Sequence, residues 1–277
     1  MNVVVIGTGY VGLVAACCLA NSGHNVFAVD KDKTKLRTLE NARLPFYEEG
    51  LDHLLKKAIA ANKISFSDNL ASTLRHAQIV IIAVGTPSLA SGRVDLSQVH
   101  AVMHDVTEHT TSELTIVMKS TVPPGTGRVI ARRYLANSHA PIHYVSNPEF
   151  LREGRAVWDW YHPVRIVIGC DEEKVAHQVL QLYADIDAPK VIMDVTSAEM
   201  VKYTSNAFLA TKISFINEIA NLCEVVGADI NKVAEATGMD RRIGPHFLQA
   251  GLGYGGSCFP KDTKGLDFVS TFNGYSF

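Results

Sequence analysis

Near its end the sequence reads Gly-Leu-Gly-Tyr-Gly-Gly-Ser-Cys-Phe-Pro-Lys-Asp over residues 251–262, which places Cys258 in a glycine-rich segment. Glycine adopts positive φ angles and lets a ligand approach the backbone, so this segment is predicted to be a loop that holds the thiol against a ligand. The alternative is a tight turn around a buried cysteine, because free thiols are usually buried. The other residues of the chain must decide between the two.

A lysine and an asparagine, Lys202 and Asn206, stand four residues apart near the start of a long helix-like stretch. This spacing puts both side chains on one face of a helix. A lysine beside an amide can polarise a carbonyl group or stabilise an alkoxide. Taken alone, the lysine is more often an ordinary solvated side chain.

The segment Gly7-Thr-Gly-Tyr-Val-Gly follows the predicted strand 3–6 directly and opens the predicted helix 11–21. A second predicted strand ends at Asp30, which lies 18 residues after Gly12. This context predicts a dinucleotide site with the pyrophosphate at the helix N-terminus and the aspartate on the ribose hydroxyls. Asp30 would repel a 2′-phosphate and therefore favours NAD over NADP, although Lys31, Lys33 and Lys35 could offset that repulsion.

Three later strands end in Gly85-Thr-Pro, in Ser120-Thr-Val-Pro-Pro-Gly and in Ser146-Asn-Pro-Glu. Each segment alone is typical of a turn. Because ligands bind outside the carboxyl ends of strands in such folds, the three together predict one side of a site. If the stretch after Pro148 is helical, Glu149 and Glu153 share a face; an exposed acidic face is the alternative.

These groups together suggest one reaction. A nicotinamide coenzyme takes hydride from an alcohol, and the thiolate of Cys258 captures the aldehyde. A second hydride transfer gives a thioester, and a water activated by a glutamate releases the acid. Covalent capture divides a difficult aldehyde oxidation into two accessible steps.

The elements that must position these residues are predicted from apolar runs that alternate with helix-like stretches. We predict an α/β fold, a Rossmann-like doubly wound parallel sheet in domain 1–196, followed by a helical central domain at 197–277. The predicted strands are 3–6, 25–29, 79–84, 115–119, 143–145, 165–168 and 190–194, and the predicted helices between them include 52–61, 96–108, 126–136 and 172–184. A long helix is predicted at 197–226, with a cap at Ser197 and a stop at Gly227, and a shorter one at 229–237.

Composition excludes several classes. Hydrophobic residues are 47% and charged residues 19% of the 277, which fits a globular protein, and a net charge of −2 gives no attraction to nucleic acid or anionic membranes. The five cysteines are odd in number and form no C-x-x-C pair, so neither a disulfide framework nor a bound metal is expected. No apolar run reaches the ~18 residues of a membrane span. We expect a cytoplasmic oxidoreductase.

Six segments, in order, resemble the successive motifs of the UDP-glucose/GDP-mannose dehydrogenase family over the whole chain. They are Gly7-Thr-Gly-Tyr-Val-Gly, Val84-Gly-Thr-Pro, Lys119-Ser-Thr-Val-Pro, Asn147-Pro-Glu-Phe-Leu-Arg-Glu-Gly, Glu199-Met-Val-Lys-Tyr-Thr-Ser-Asn and Gly255-Gly-Ser-Cys-Phe-Pro-Lys-Asp. The resemblance implies an NAD-dependent, four-electron oxidation of UDP-glucose to UDP-glucuronate with two NADH formed, a step of nucleotide-sugar metabolism that supplies polysaccharide biosynthesis.

The resemblance also implies catalytic roles. Cys258 is then the nucleophile, Lys202 and Asn206 stabilise the oxyanion, and Asp262 with an ordered water assists deprotonation of the C6 hydroxyl. Glu149 would activate the hydrolytic water together with Thr121.

The binding residues implied by the resemblance fall into two sets. The coenzyme contacts are Gly7, Gly9, Tyr10, Val11, Gly12, Asp30, Lys35, Thr86, Thr121, Glu153 and Lys264. The contacts to the sugar nucleotide are Glu149, Phe150, Leu151, Arg152, Glu153, Lys202, Asn206, Arg242, Phe247, Leu248, Gln249, Ala250, Gly251 and Gly255.

Family resemblance further implies a homodimer through the long helix 197–226. The Arg-Ile-Gly segment after Arg241 resembles the UDP-glucose branch more than the GDP-mannose or UDP-N-acetylmannosamine branches, which are alternatives. Family members continue into a domain that binds the UDP, so the chain resembles a fragment that is expected to be inactive alone. Two other functions stay open: a one-step hydroxy-acid dehydrogenase, and a non-catalytic NAD-binding and dimerising fragment.

Overall fold

The computed structural model describes residues 1–136 and 138–275. The chain divides into two compact units. Unit 1 comprises Met1–Pro87 and Asp95–Met200, and unit 2 comprises Ser88–Val94 and Val201–Phe277.

Unit 1 is built on an eight-stranded sheet with the order β3-β2-β1-β4-β5-β6-β7-β8. The strands are β1 (Asn2–Ile6), β2 (Asn25–Val29), β3 (Ile64–Ser67), β4 (Ile79–Ile82), β5 (Leu114–Met118), β6 (Ile142–Ser146), β7 (Ile166–Gly169) and β8 (Lys190–Met193). The predicted strands are confirmed within two residues at each end, and β3 is an addition. Its sequence, Ile-Ser-Phe-Ser, is too short and polar to signal a buried strand.

The expectation of an all-parallel sheet is wrong at one junction, where β6 and β7 pair antiparallel through Ser146 and Gly169. The segment between these strands contains only a six-residue helix, Ala156–Tyr161. It returns to the sheet from the edge at which β6 ends, so β7 runs the opposite way. The remaining neighbours pair in parallel.

The central strands β1, β4 and β5 are buried on both faces because helices cover both. Along β1, Val3 and Val5 pack into one hydrophobic core and Val4 and Ile6 into the other. The helices of unit 1 are α1 (Tyr10–Asn21), α2 (Lys33–Glu40), α3 (Leu51–Ala60), α4 (Leu70–Leu74), α5 (Ser97–His109), α6 (Thr126–Ile130), α7 (Ala156–Tyr161) and α8 (Glu173–Leu180). The helix predicted at 126–136 is regular only to Ile130 and continues as a π-helical turn, Ala131–Leu135.

The long helix α9 (Val195–Val226) begins in unit 1 and continues through unit 2. It starts two residues before the predicted cap at Ser197, because the Asp194 carboxylate accepts hydrogen bonds from the Ser197 backbone and hydroxyl. The predicted stop is confirmed: Gly227 has a φ of +75°, a conformation that favours glycine. Unit 2 adds α10 (Ile230–Gly238), capped by Asp229, and α11 (Phe259–Phe272).

The glycine-rich segment is a loop only as far as Cys258. Helix α11 begins at Phe259 with Pro260 in its first turn, so Lys261 and Asp262 are helical. Proline is well suited to this position because the first turn of a helix does not use its N–H groups.

Two glycines of the first motif provide a test of the close packing between β1 and α1. A Cβ on Gly12 would lie 1.8 Å from the Gly7 carbonyl oxygen, whereas a Cβ on Gly9 would meet no atom within 4 Å. We expect Gly12→Ala to lower the free energy of unfolding by about 3 kcal/mol or more. The matched change Gly9→Ala should stay within about 0.5 kcal/mol. Urea unfolding measures both, and equal stabilities would contradict this packing.

Candidate functional site

The turn between β1 and α1 has the features of a site for an anion. Gly7 has a φ of +95°, and a Cβ there would lie 2.6 Å from the Ala83 carbonyl oxygen. Gly9 is open to its surroundings. Within the described part of the chain no side chain caps α1, and its first turn carries no acid. The N–H groups at its start are therefore available to a phosphate group.

Asp30 ends β2 beside this turn. It accepts hydrogen bonds from the backbone and hydroxyl of Thr8 at 2.9 and 2.7 Å, and Lys35 Nζ lies 2.8 Å from the same oxygen. Burial alone would raise its pKa, but the bonds from Lys35 and Thr8 outweigh this effect and lower the pKa to about 2. Asp30 is therefore ionised at neutral pH. It borders a cavity of about 690 Å³ together with Gly7, Gly9 and Gly85.

Two hydroxyl groups join the carboxyl ends of β4 and β5. Thr86 Oγ1 donates to the Thr121 carbonyl at 2.9 Å, and Ser120 Oγ donates to the Val84 carbonyl at 2.7 Å. The structure thus brings Thr86 and Thr121 together at the same sheet edge as the glycine-rich turn, as the strand-end argument predicts.

Lys119 is a buried cation that the sequence argument missed as a contact residue. Its Nζ donates to Asn147 Oδ1 at 2.9 Å and to the Tyr183 hydroxyl at 3.1 Å, and it lies 5.3 Å from the centre of the Trp160 ring. Asn147 Nδ2 in turn donates to the Val167 carbonyl at 2.8 Å. These bonds join the ends of β5 and β6 to β7. Lys119 and Asn147 each begin a motif segment, but their sequence separation gave no sign of contact.

The loop 147–154 is not helical, so the argument that Glu149 and Glu153 share a helix face is wrong. Glu149 is buried and accepts a bond from the Leu151 N–H at 2.6 Å, which folds the chain back at this point. Arg152 is held by Asp159 through its backbone N–H and its guanidinium, at 2.9 Å for N and Nε.

The other two residues of this loop with predicted contacts differ in exposure. The Phe150 ring packs against the Arg165 guanidinium at 3.9 Å, and Glu153 is exposed. The loop 147–154 is fixed at its start by the bond of Asn147 to Lys119 and at its end by the bond of the Gly154 N–H to Glu48.

Glu199 is a second buried acid whose role was not predicted, although it opens one of the six motifs. Its two carboxylate oxygens accept bonds from the Gly125 and Gly127 N–H groups at 2.7 and 2.8 Å. The acid therefore holds the turn that follows Thr121 and the start of α6. Burial raises its pKa from 4.5 to about 7, even though the bonds from Gly127 and Gly125 favour the carboxylate.

In unit 2, helices α9 and α11 bring three predicted catalytic residues together. Lys202, Asn206 and Asp262 are all buried, and Asn206 Nδ2 donates to Asp262 Oδ2 at 2.6 Å. Lys261 Nζ lies 2.5 Å from the other Asp262 oxygen. The two helices approach closely because α11 has Gly265 where a Cβ would lie 2.9 Å from the Tyr203 ring.

Cys258 immediately precedes α11 and is exposed, so the buried-cysteine alternative is wrong. The position at a helix N-terminus favours an anion. Its Sγ lies 3.5 Å from Ser257 Oγ. Lys264, a predicted coenzyme contact six residues after Cys258, is exposed, and its backbone carbonyl lies against Gly92.

Residues 242–255 form an exposed loop that α9 holds at two places. Lys212 Nζ donates to the Ile243 carbonyl at 3.0 Å, and the Gly251 N–H donates to Asn217 Oδ1 at 2.9 Å. Phe247 has a φ of +65°, which is strained for a residue with a side chain.

The loop side chains differ in burial. Leu248 is buried, Gln249, Ala250 and Gly255 are exposed, and Arg242 pairs with Asp240 at 2.6 Å. Exposed side chains on an anchored backbone leave this loop able to contact a ligand.

Residues 1–136 and 138–275 contain neither a helix long and apolar enough to cross a bilayer nor a group of three or more His, Cys, Asp or Glu side chains that could hold a metal ion.

Comparison with known families gives two consecutive matches. Residues 1–187 match the NAD binding domain of the UDP-glucose/GDP-mannose dehydrogenase family, and residues 196–277 match its central domain. The chain is 46% identical over 278 aligned residues to the UDP-glucose 6-dehydrogenase TuaD of Bacillus subtilis, covering 100% of this chain and 60% of that protein. The chain therefore spans about 60% of the length of such relatives.

Two solved structures have the same fold. A UDP-glucose dehydrogenase from the archaeon Pyrobaculum islandicum superposes with a TM-score of 0.94 at 40% identity, over 99% of this chain and 65% of that one. A GDP-mannose dehydrogenase from Pseudomonas aeruginosa superposes with a TM-score of 0.84 at 31% identity, over 100% of this chain and 66% of that one.

The raised pKa of Glu199 predicts a pH dependence of stability. Folding raises the pKa of the Glu199 carboxyl group from 4.5 to about 7, so the folded state binds its proton more tightly than the unfolded state. The resulting stabilisation is complete below pH 4.5 and is lost as the pH rises through 7. Since one unit corresponds to about 1.4 kcal/mol, the loss between pH 4.5 and 8 should be about 3 kcal/mol. Glu199→Gln should remove this pH dependence.

The measurement is urea unfolding of the purified chain at several pH values. Tryptophan fluorescence monitors the unfolding of unit 1, because both tryptophans lie on α7. Glu218→Gln, an exposed acid of the same helix, is the control. Parallel pH curves for wild type and Glu199→Gln would show that Glu199 does not titrate in this range.

Proposed function

This chain belongs to the UDP-glucose/GDP-mannose dehydrogenase family, and we propose that it forms the coenzyme-binding and catalytic part of an enzyme that oxidises UDP-glucose to UDP-glucuronate. The observation that carries the proposal is the arrangement in unit 2. An exposed Cys258 precedes the helix that carries Asp262, and Asp262 is hydrogen-bonded to Asn206 one turn after Lys202. A dehydrogenase that only forms an aldehyde or ketone has no use for the thiol.

The coenzyme is NAD, whose binding domain in this family matches residues 1–187. The residues of the glycine-rich turn fit the pyrophosphate of NAD. Gly9 leaves space beside the turn, and no side chain in the described part of the protein caps the N-terminus of α1. We propose that Asp30 binds the ribose hydroxyls and that its charge disfavours a 2′-phosphate. Lys35, already bonded to Asp30, is then a poor partner for that phosphate.

In the first oxidation, the C6 hydroxyl of the sugar loses its proton to a water held by Asp262, and C6 loses a hydride. When bound, NAD supplies the hydride acceptor for both oxidations. Lys202 and Asn206 stabilise the negative charge on the oxygen as the C–H bond breaks. Their burial supports this role, because charge stabilisation is stronger where water is excluded.

In the second stage, the Cys258 thiolate adds to the aldehyde carbon and forms a thiohemiacetal. Loss of a second hydride from C6 gives a thioester. We propose that Glu149, with Thr121, activates the water that attacks this thioester, which releases the carboxylate and returns the thiol. Glu149 is fixed by its bond to the Leu151 N–H, and Thr121 by the turn that Glu199 holds.

The sugar-nucleotide specificity is proposed from the loop 242–255 and from the relatives named above. Arg242 lies in the Arg-Ile-Gly segment that resembles the UDP-glucose branch, while oxidation of GDP-mannose or UDP-N-acetylmannosamine is the alternative within the family. Phe247, Gln249, Ala250 and Gly251 are exposed and suited to ligand contact.

We further propose that a second copy of the chain packs along α9. Phe208, Phe215 and Leu222 follow one another at seven-residue spacing, and their exposed fractions are 64%, 57% and 55%. This spacing puts them on one face of the helix, so they form an apolar stripe in unit 2. An exposed stripe of large apolar side chains is typical of an interface.

The role of Cys258 has a direct test in the active enzyme. Cys258→Ser should lower acid formation at least about a thousandfold, the order expected for loss of a nucleophile. Glu149→Gln should instead let the thioester accumulate, which appears as added mass on the protein. Two NADH per UDP-glucose should form in wild type and in the control Cys223→Ser, which changes a buried thiol. Normal two-NADH turnover by Cys258→Ser would contradict the thioester mechanism.

The proposed interface predicts an effect on mass in solution. Light scattering of the purified chain should give twice the chain mass of 30.2 kDa, and Phe215→Glu should give the monomer because it puts a charge into the apolar stripe. Val164→Glu, at an exposed apolar side chain of unit 1, is the control and should stay dimeric. A wild-type monomer at all concentrations would contradict the proposal.

A further inference from the structure

Glu48 is a buried acid that none of the roles above uses. It lies between α2 and α3, is 2% exposed, and accepts hydrogen bonds on both oxygens. Oε2 accepts from the Tyr10 hydroxyl at 2.6 Å and from the Gly154 N–H at 2.9 Å. Oε1 accepts from the Ala156 N–H at 2.6 Å and from the Val157 N–H at 3.4 Å.

These donors come from two parts of the proposed site. Tyr10 is the first residue of α1 and belongs to the glycine-rich turn. Gly154 ends the loop that contains Glu149, and Ala156 begins α7. The Tyr10 hydroxyl also lies 2.7 Å from the carbonyl oxygen of Arg152 in the same loop.

The chemistry of the contact explains why a carboxylate is needed. All four donors point at the acid, so an amide side chain would present its own N–H groups to two of them. A buried carboxylate without such donors would be strongly unfavourable. Burial, together with the Glu48 carboxylate, raises the pKa of the Tyr10 phenol well above its usual range. Tyr10 therefore remains a donor at any physiological pH.

We propose that Glu48 is a positioning residue which, through Tyr10, couples coenzyme binding at the glycine-rich turn to the position of the loop 147–154. The inference rests on the proposed function, since it takes NAD as the ligand of that turn. A phosphate bound at the start of α1 restricts the turn and with it Tyr10. The hydrogen bonds through Glu48 then restrict the backbone of Gly154 and Ala156.

The coupling acts in both directions. A ligand that orders the loop lowers the cost of ordering the turn, so sugar nucleotide and NAD each bind more tightly in the presence of the other. Glu149, which activates water in the proposed reaction, is thereby held in place when the coenzyme is present. Neither Glu48 nor the Tyr10 hydroxyl needs to contact the reacting atoms.

Hydrogen exchange of the purified chain with and without NAD tests the coupling. The readout is the exchange of the Gly154, Ala156 and Val157 amides, at NAD concentrations that calorimetry shows to be saturating for each variant. NAD should slow the exchange of these amides about tenfold in wild type. A change of about tenfold is the order expected when these amides gain stabilisation equal to one hydrogen bond to a charged group. Tyr10→Phe and Glu48→Gln should lose this NAD-dependent difference.

Matched controls make the same chemical changes at exposed neighbours, Tyr47→Phe and Glu49→Gln. Both should respond as wild type does. A purely structural role for Glu48 would raise exchange equally with and without NAD and would leave the difference intact. The fluorescence of Trp158 and Trp160, both on α7, gives a second readout of the same response.

The outcomes separate this inference from the proposed function. An unchanged NAD-dependent difference in Tyr10→Phe overturns the coupling, whether or not Glu48→Gln folds. Calorimetric binding of NAD to wild type without any change in exchange also overturns it and leaves the coenzyme assignment intact. Absence of NAD binding to wild type contradicts the proposed function itself, and the coupling with it.

Discussion

The candidate site of unit 1 depends on one buried cation. Lys119 is buried, and its ammonium is compensated by the Asn147 amide oxygen, the Tyr183 hydroxyl and two aromatic rings. A buried charge tolerates few positions, because displacement from its partners costs several kcal/mol. The ends of β5 and β6 are therefore fixed relative to each other. Thr121 follows Lys119 by two residues and Glu149 follows Asn147 by two, so the same contact sets the distance between the groups proposed to activate water.

The two buried acids extend this principle to the neighbouring loops. Glu199 accepts bonds from the turn after Thr121, and Glu48 accepts bonds from the end of the loop that contains Glu149. Both acids accept hydrogen bonds from backbone N–H groups. The direction of a backbone N–H is set by the chain, whereas a lysine side chain in the same place could rotate away from the carboxylate. In unit 2 the corresponding contact joins Asn206 of α9 to Asp262 of α11. Each unit thus positions its polar groups through side chains that reach across between elements rather than through secondary structure alone.

Local patterns predicted the parts of the fold and of the site whose causes are local. Short segments determine the glycine-rich turn and the acid that follows β2. Strand direction determines that the ends of β4 and β5 lie at the same sheet edge as this turn. No helix forms at Glu149 and Glu153. Asn147 is instead bonded to Lys119 and Arg152 to Asp159, and the spacing of the two glutamates could not indicate these contacts. Glu48 could not be found, since its donors lie 38 and 106 residues away. The antiparallel β7 was missed for the same reason: the direction of a strand depends on where the intervening chain runs.

The distribution of the cysteines has a chemical consequence of its own. Four of the five thiols are buried, and burial raises the pKa of Cys17, Cys18 and Cys170. Thiol-directed electrophiles therefore meet one exposed cysteine in this chain, Cys258. The exposure that would let a sugar aldehyde reach the thiol equally admits peroxide or an alkylating reagent. Alkylation of cysteine should accordingly be stoichiometric and confined to this single thiol, which makes it a selective attachment point for a spectroscopic label or a covalent inhibitor.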